Sequence, residues 1–157
     1  MIHSIHGRIG IRLERMNMAL FVGIFVAFKA ALAYVSEQIY FNLTNESIAS
    51  GLIEIGNIYF TFIVVIIFGP LIETYLIQYL FFKHLLGRIS QWLIVVLSAF
   101  VFALFHTYNI GYVFYAFFSG LILSTSYALR RRSNPFVCTL VIHSVYNLLG
   151  FIYNNWP

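Results

Sequence analysis

Glu73, His106, His143 and Asn147 place a carboxylate, two imidazoles and a carboxamide inside otherwise apolar stretches of the chain. An ionisable group at membrane depth is costly, and such groups face a bundle interior and serve a purpose. Three kinds of behaviour are open to this set. An intramembrane Glu with two His could relay protons. Two His and a carboxylate could hold zinc with one position open. The groups could also simply hydrogen-bond helices together. Glu73 is the only acidic residue in the middle of a long hydrophobic segment, so the other groups are read as partners brought to it.

Composition sets the elements that must do the bringing. The 157 residues are 61% hydrophobic, 19% aromatic and 9% charged, with a mean hydropathy of +0.88. A soluble domain of this length could not keep so much apolar surface from water. Helices are the simplest way to satisfy a backbone in lipid, and the continuous apolar runs lack the short alternating segments of a barrel. The expected fold is an all-α polytopic transmembrane bundle of about five spans. Residues 1–17 would form a cytoplasmic N-terminal arm carrying His3 and His6, and 18–157 a single transmembrane domain. The single Cys138 excludes an internal disulfide and reads as a buried, inert thiol. The net charge of +4 points to membrane orientation and not to nucleic acid, because the cations lie at segment ends.

Segment one covers 18–41, interrupted by Lys29, which is read as snorkelling or as a contact within the bundle, with a functional cation near the active site as the alternative. Glu37 is read as interfacial. Residues 42–57 form a polar loop without Lys or Arg, and two glycosylation triplets there, at Asn42 and Asn45, are short enough to arise by chance. Segment two covers 58–82, with a kink expected at Gly69-Pro70 because proline removes a backbone donor. Segments three, four and five cover 91–108, 112–129 and 136–153. With five crossings, Arg8, Arg12, Arg15, Lys83, Arg88 and Arg130–Arg132 fall on one side. The N-terminus is then expected in the cytoplasm and the C-terminus outside it, in a plasma (inner) membrane.

Depth tests whether the polar groups can meet. At the helical rise, Glu73 lies roughly 15 Å from the cytoplasmic end of its segment, His143 roughly 12 Å, Asn147 roughly 18 Å and His106 roughly 22 Å. These depths are compatible with one layer near the midplane. His143 and Asn147 are four residues apart and share a helix face, as do Phe102 and His106. Thr74 and Gln78 have the same spacing and are expected to hydrogen-bond, fixing the helix face that carries Glu73.

Glu73-Thr74-x-x-x-Gln78, Phe102-x-x-x-His106 and His143-x-x-x-Asn147 resemble, in order, the three motifs EExxxR, FxxxH and HxxxN/D of the CAAX protease and bacteriocin-processing (Abi) family. The Pro-x-x-Glu leading into the first motif is also similar, and the resemblance spans roughly 58–153. The chain departs from the family pattern at Thr74 and Gln78, where a Glu and an Arg are usual. The loss of both charges together leaves no unpaired buried charge.

The resemblance implies intramembrane proteolysis. Glu73 would act as general base on a water, His106 would position that water or relay its proton, and His143 and Asn147 would donate to the oxyanion. No Ser or Cys is placed beside a His for covalent catalysis. No cofactor is expected; zinc on Glu73, His106 and His143 is the metal alternative. Partners would be membrane lipids and a membrane-associated peptide or protein, prenylated or a bacteriocin leader. Two other functions are compatible with the residues: an inactive relative that binds membrane peptides as a chaperone or immunity factor, and a small transporter or proton-relay subunit. The presence of one Gly-Pro break, and not a pair in related halves, counts against transport.

Overall fold

The computed structural model describes residues 13–49 and 57–155. Among them lie five long helical elements and no strands. These are α1 (Met18–Thr44), α2 (Ile58–Leu85), α3 (Gln91–Leu104), α4 (Ile110–Leu129) and α5 (Pro135–Asn155). The protein is an all-α integral membrane bundle.

Polar residues at the ends of the apolar runs start the helices. Asn17 Oδ1 accepts from the Ala19 amide at 2.8 Å, Asn57 Oδ1 from Phe60 at 2.9 Å, and Asn109 Oδ1 from Tyr112 at 2.8 Å. Ser90 Oγ accepts from Leu93 at 3.3 Å. Each such cap satisfies a backbone donor that the helix itself leaves open, at about 1 kcal/mol.

Four of the helices are long and apolar enough to cross a membrane. The exception is α3, whose 14 residues reach about 21 Å, short of a hydrocarbon layer of ~30 Å. The apolar run predicts that this helix continues to Tyr108. It stops instead at Leu104, and residues 105–109 form an irregular turn. Non-helical backbone at this depth is tolerated only where it is buried in protein or lines a cavity.

The turn is held from above. Asn109 Nδ2 donates to the carbonyl of Ile48 at 2.9 Å, and the Ile48 amide donates to Glu37 Oε2 at 3.0 Å. Glu37, expected only to sit at the interface, therefore fastens residues 45–49 to the end of α1.

The most extensive helix pairing is α3 with α4. A Cβ on Gly120 would lie 2.9 Å from the Ala99 Cα, so only glycine fits there. Ala99, Ala103, Ala116 and Ser119 are all buried, in the small-residue pattern that lets membrane helices approach. Phe21, Phe25, Phe102, Leu123 and Ile142 fill the main core. At the other end, the buried Arg130 donates through Nη1 to the carbonyls of Glu14 and Met16, each at 2.8 Å. Leu13 and Met16 pack against the core. The final residues of the N-terminal arm are thus docked, where a solvated arm was expected; His3 and His6 lie outside the described residues.

The helix α2 is not a continuous α-helix. Val64–Phe68 and Thr74–Tyr79 are π turns, so the break expected at Gly69-Pro70 takes the form of a π turn just before it. π bonds run five residues back, and the Gly69 amide accordingly donates to Val64 O. In that register the next donor would be residue 70. Proline has none, which leaves Val65 O without its backbone partner.

Candidate active site

The three motif helices converge on a cavity of about 70 Å³. Glu73 from α2, Phe102 from α3, His106 from the turn after it, and His143 and Asn147 from α5 all line it. That volume admits water and is far below a ligand pocket of several hundred Å³. The site is thus built to hold small polar species beside Glu73, with any larger substrate approaching from outside.

Glu73 Oε2 lies 3.6 Å from His143 Nε2. The His143 side chain is buried and that of Glu73 is 29% exposed. Glu73 Oε2 is itself buried and has no hydrogen-bond partner among the described residues. His106 is oriented by its own chain: its Nδ1 is 2.7 Å from the carbonyl of Phe102. A carbonyl only accepts, so Nδ1 carries the proton and Nε2 keeps a lone pair. Phe102 also stacks on the His106 ring at 4.3 Å between centroids and reaches the His143 ring at 5.7 Å. This one aromatic therefore sets the position of both imidazoles.

Asn147 Nδ2 donates to Val65 O at 2.9 Å. This is the carbonyl that Pro70 leaves without a partner. The third motif thus splices the broken helix carrying the first motif, and only one of the two carboxamide hydrogens is used to do so.

Thr74 and Gln78 stand apart from the cavity. Both are fully buried, in a π turn that packs against α3, α4 and α5. The expected hydrogen bond between them is absent: the Thr74 hydroxyl and both Gln78 amide atoms have no hydrogen-bond partner among the described residues. The reason is the π turn across Thr74–Tyr79, which removes the four-residue stacking that an α-helix would give.

Lys29 makes the contact within the bundle that was one of its expected roles, and makes it at the cavity that the motifs mark. It is 1% exposed, and it lines the same cavity as Glu73. Its Nζ donates to Ser119 Oγ at 2.6 Å and lies 4.6 Å from the centre of the Tyr146 ring. Tyr115 OH donates to Tyr146 OH at 2.6 Å, completing a polar wall. A lysine in mid-segment was the available signal, but no neighbouring residue in the sequence marked which way it faced.

Among the described residues, no three His, Cys, Asp or Glu side chains converge as a metal-binding group. Glu73, His106 and His143 share a cavity without forming a ready ligand set for zinc. Cys138 is buried and free, away from the cavity lining.

A family model described as type II CAAX prenyl endopeptidase Rce1-like matches residues 55–149. No curated protein and no solved structure matches the chain.

Proposed function

Because the chain belongs to the Rce1-like family of type II CAAX prenyl endopeptidases, we propose that it hydrolyses a peptide bond of a prenylated, membrane-anchored peptide or protein, with Glu73 activating water. The observation that carries this reading is the 3.6 Å approach of Glu73 and His143 on a water-scale cavity shared with His106.

In this reading Glu73 takes a proton from water as the oxygen attacks the scissile carbonyl. The carbonyl electron pair moves onto its oxygen. Collapse of that intermediate breaks the C–N bond, and the proton held by Glu73 passes to the leaving amine. His106 presents its Nε2 lone pair to the attacking water. His143 and the second N–H of Asn147 donate to the oxyanion, a contribution usually among the largest in acyl transfer. No step is routed through a metal.

An apolar groove of about 520 Å³ runs between α1 and α5, lined by Val22, Val26, Val141 and Val145. Its size suits a lipid chain, and Val26 lies one helical turn from Lys29. A prenyl group seated there would hold the adjoining peptide beside the cavity. The positions of Arg15, Lys83, Arg88 and Arg130–Arg132 support a cytoplasmic N-terminus and an extracytoplasmic C-terminus in an inner membrane.

The test is cleavage of prenylated and unprenylated peptides by purified protein in liposomes. Wild type cleaves the prenylated peptide preferentially, and Glu73→Gln and His143→Ala each lower kcat by about 100-fold or more. Full activity of Glu73→Gln would sink the reading.

A further inference from the structure

The cavity holds one acid and one buried cation on different helices. Lys29 comes from α1, which lies wholly outside residues 55–149. Burying an ammonium is costly unless an opposite charge and hydrogen bonds compensate it. Ser119 Oγ supplies a hydrogen bond and the Tyr146 face a further favourable contact, but neither bears a negative charge. Among the described residues lining the cavity, Glu73 is the only Asp or Glu.

Resting on the protease reading above, we propose that Lys29 is the counter-charge of the catalytic centre. It balances the Glu73 carboxylate at rest and the oxyanion during hydrolysis. When water gives its proton to Glu73 and the carbonyl oxygen gains the electron pair, the negative charge moves from the carboxylate to the substrate. The ammonium stays in place throughout, so the cavity remains neutral overall in both states. Without Lys29 the same transfer would occur in a pocket of net negative charge, where low polarity makes each charge more expensive. The role falls to α1 because Glu73's own helix sends no cation into the cavity: Gln78 is neutral, and Lys83 is exposed near the helix end. Lys29 acts on the reaction through charge and position, and takes no proton in it.

Two measurements test this on the full chain. The first is a thermal-unfolding cycle in detergent of wild type, Lys29→Met, Glu73→Gln and the double variant. Removing one partner of a buried pair strands the other charge, whereas removing both does not. Both single variants should unfold at lower temperature than wild type, and the double variant should recover most of that loss. Additive shifts would overturn the pairing, whatever the protein cleaves.

The second is cleavage of the prenylated peptide by Lys29→Met, Lys29→Gln and Lys29→Arg. Lys29→Met should lower kcat by about 100-fold with KM changed by less than about threefold, and Lys29→Arg should restore part of kcat. If Lys29→Met does not fold, Lys29→Gln, which keeps a donor toward Ser119, carries the comparison. Wild-type kcat in the neutral variants would overturn the catalytic role. Absence of cleavage by wild type would overturn the protease reading and that role together, while the unfolding cycle still decides whether Lys29 and Glu73 are paired.

Discussion

Asn147 Nδ2 on α5 donates at 2.9 Å to Val65 O, the carbonyl that lies five residues before Pro70. This bond joins the last motif to the helix bearing the first. It also explains how a proline can sit three residues before Glu73 in lipid: the donor it lacks is supplied by another helix.

The bond predicts a coupling between residues 70 and 147. Asn147→Ala leaves a buried carbonyl unpaired and should cost about 1–3 kcal/mol. Pro70→Ala restores a backbone donor at that position, so Asn147→Ala should cost much less in a Pro70→Ala background. Unfolding of the four proteins in one detergent measures this directly. Equal costs in the two backgrounds would mean that Val65 O finds its partner elsewhere.

Chelation should leave cleavage unchanged. Glu73, His106 and His143 are the available ligands for zinc, and they do not converge as a metal-binding group. The expected result is a rate within about twofold of the untreated enzyme, checked by activity and by metal content after treatment with a strong chelator. Loss of activity that returns with zinc would make the two-His, one-carboxylate set a real ligand shell.

Gly120 should tolerate no side chain. A Cβ there meets the Ala99 backbone at 2.9 Å, and backbone cannot swing aside as a flexible side chain can. Gly120→Ala should cost about 1–3 kcal/mol and displace Phe102, with which that Cβ would also collide at 3.1 Å. Because Phe102 positions both imidazoles, kcat should fall with little change in KM. Unfolding and steady-state cleavage of the same preparation separate the two effects.

An epitope at the C-terminus should be reached from outside sealed cells, and one at the N-terminus only after permeabilisation. The expectation comes from the cations, which fall on one side if the chain crosses five times. A cytoplasmic C-terminus would show that the 14-residue α3 and its turn do not complete a crossing.

The starts of the helices were legible before any coordinates. Met18, Ile58 and Gln91 begin helices where the apolar runs begin, since hydropathy and a capping Asn or Ser are local properties. The ends were less so. Nothing local in Phe105-His106-Thr107 announces a break; the turn there is held by Asn109 on the Ile48 carbonyl and by His106 on the Phe102 carbonyl. The motifs likewise named Glu73, Phe102, His106, His143 and Asn147, which the fold gathers on one cavity.

By itself, then, the sequence determined that this is a helical membrane protein, where its helices begin, and which polar residues were worth following. These follow from the transfer cost of single residues and from short-range capping, and both are fixed by composition along the chain. Tertiary structure decided the rest. It turned Lys29 into the cavity that Glu73 also lines, separated Thr74 from Gln78 through a π turn, and spent one hydrogen bond of Asn147 on Val65. A helix that is apolar on nearly every side has no readable inward face. Its rotation is settled only by packing against its neighbours, and that rotation decides which buried polar groups meet.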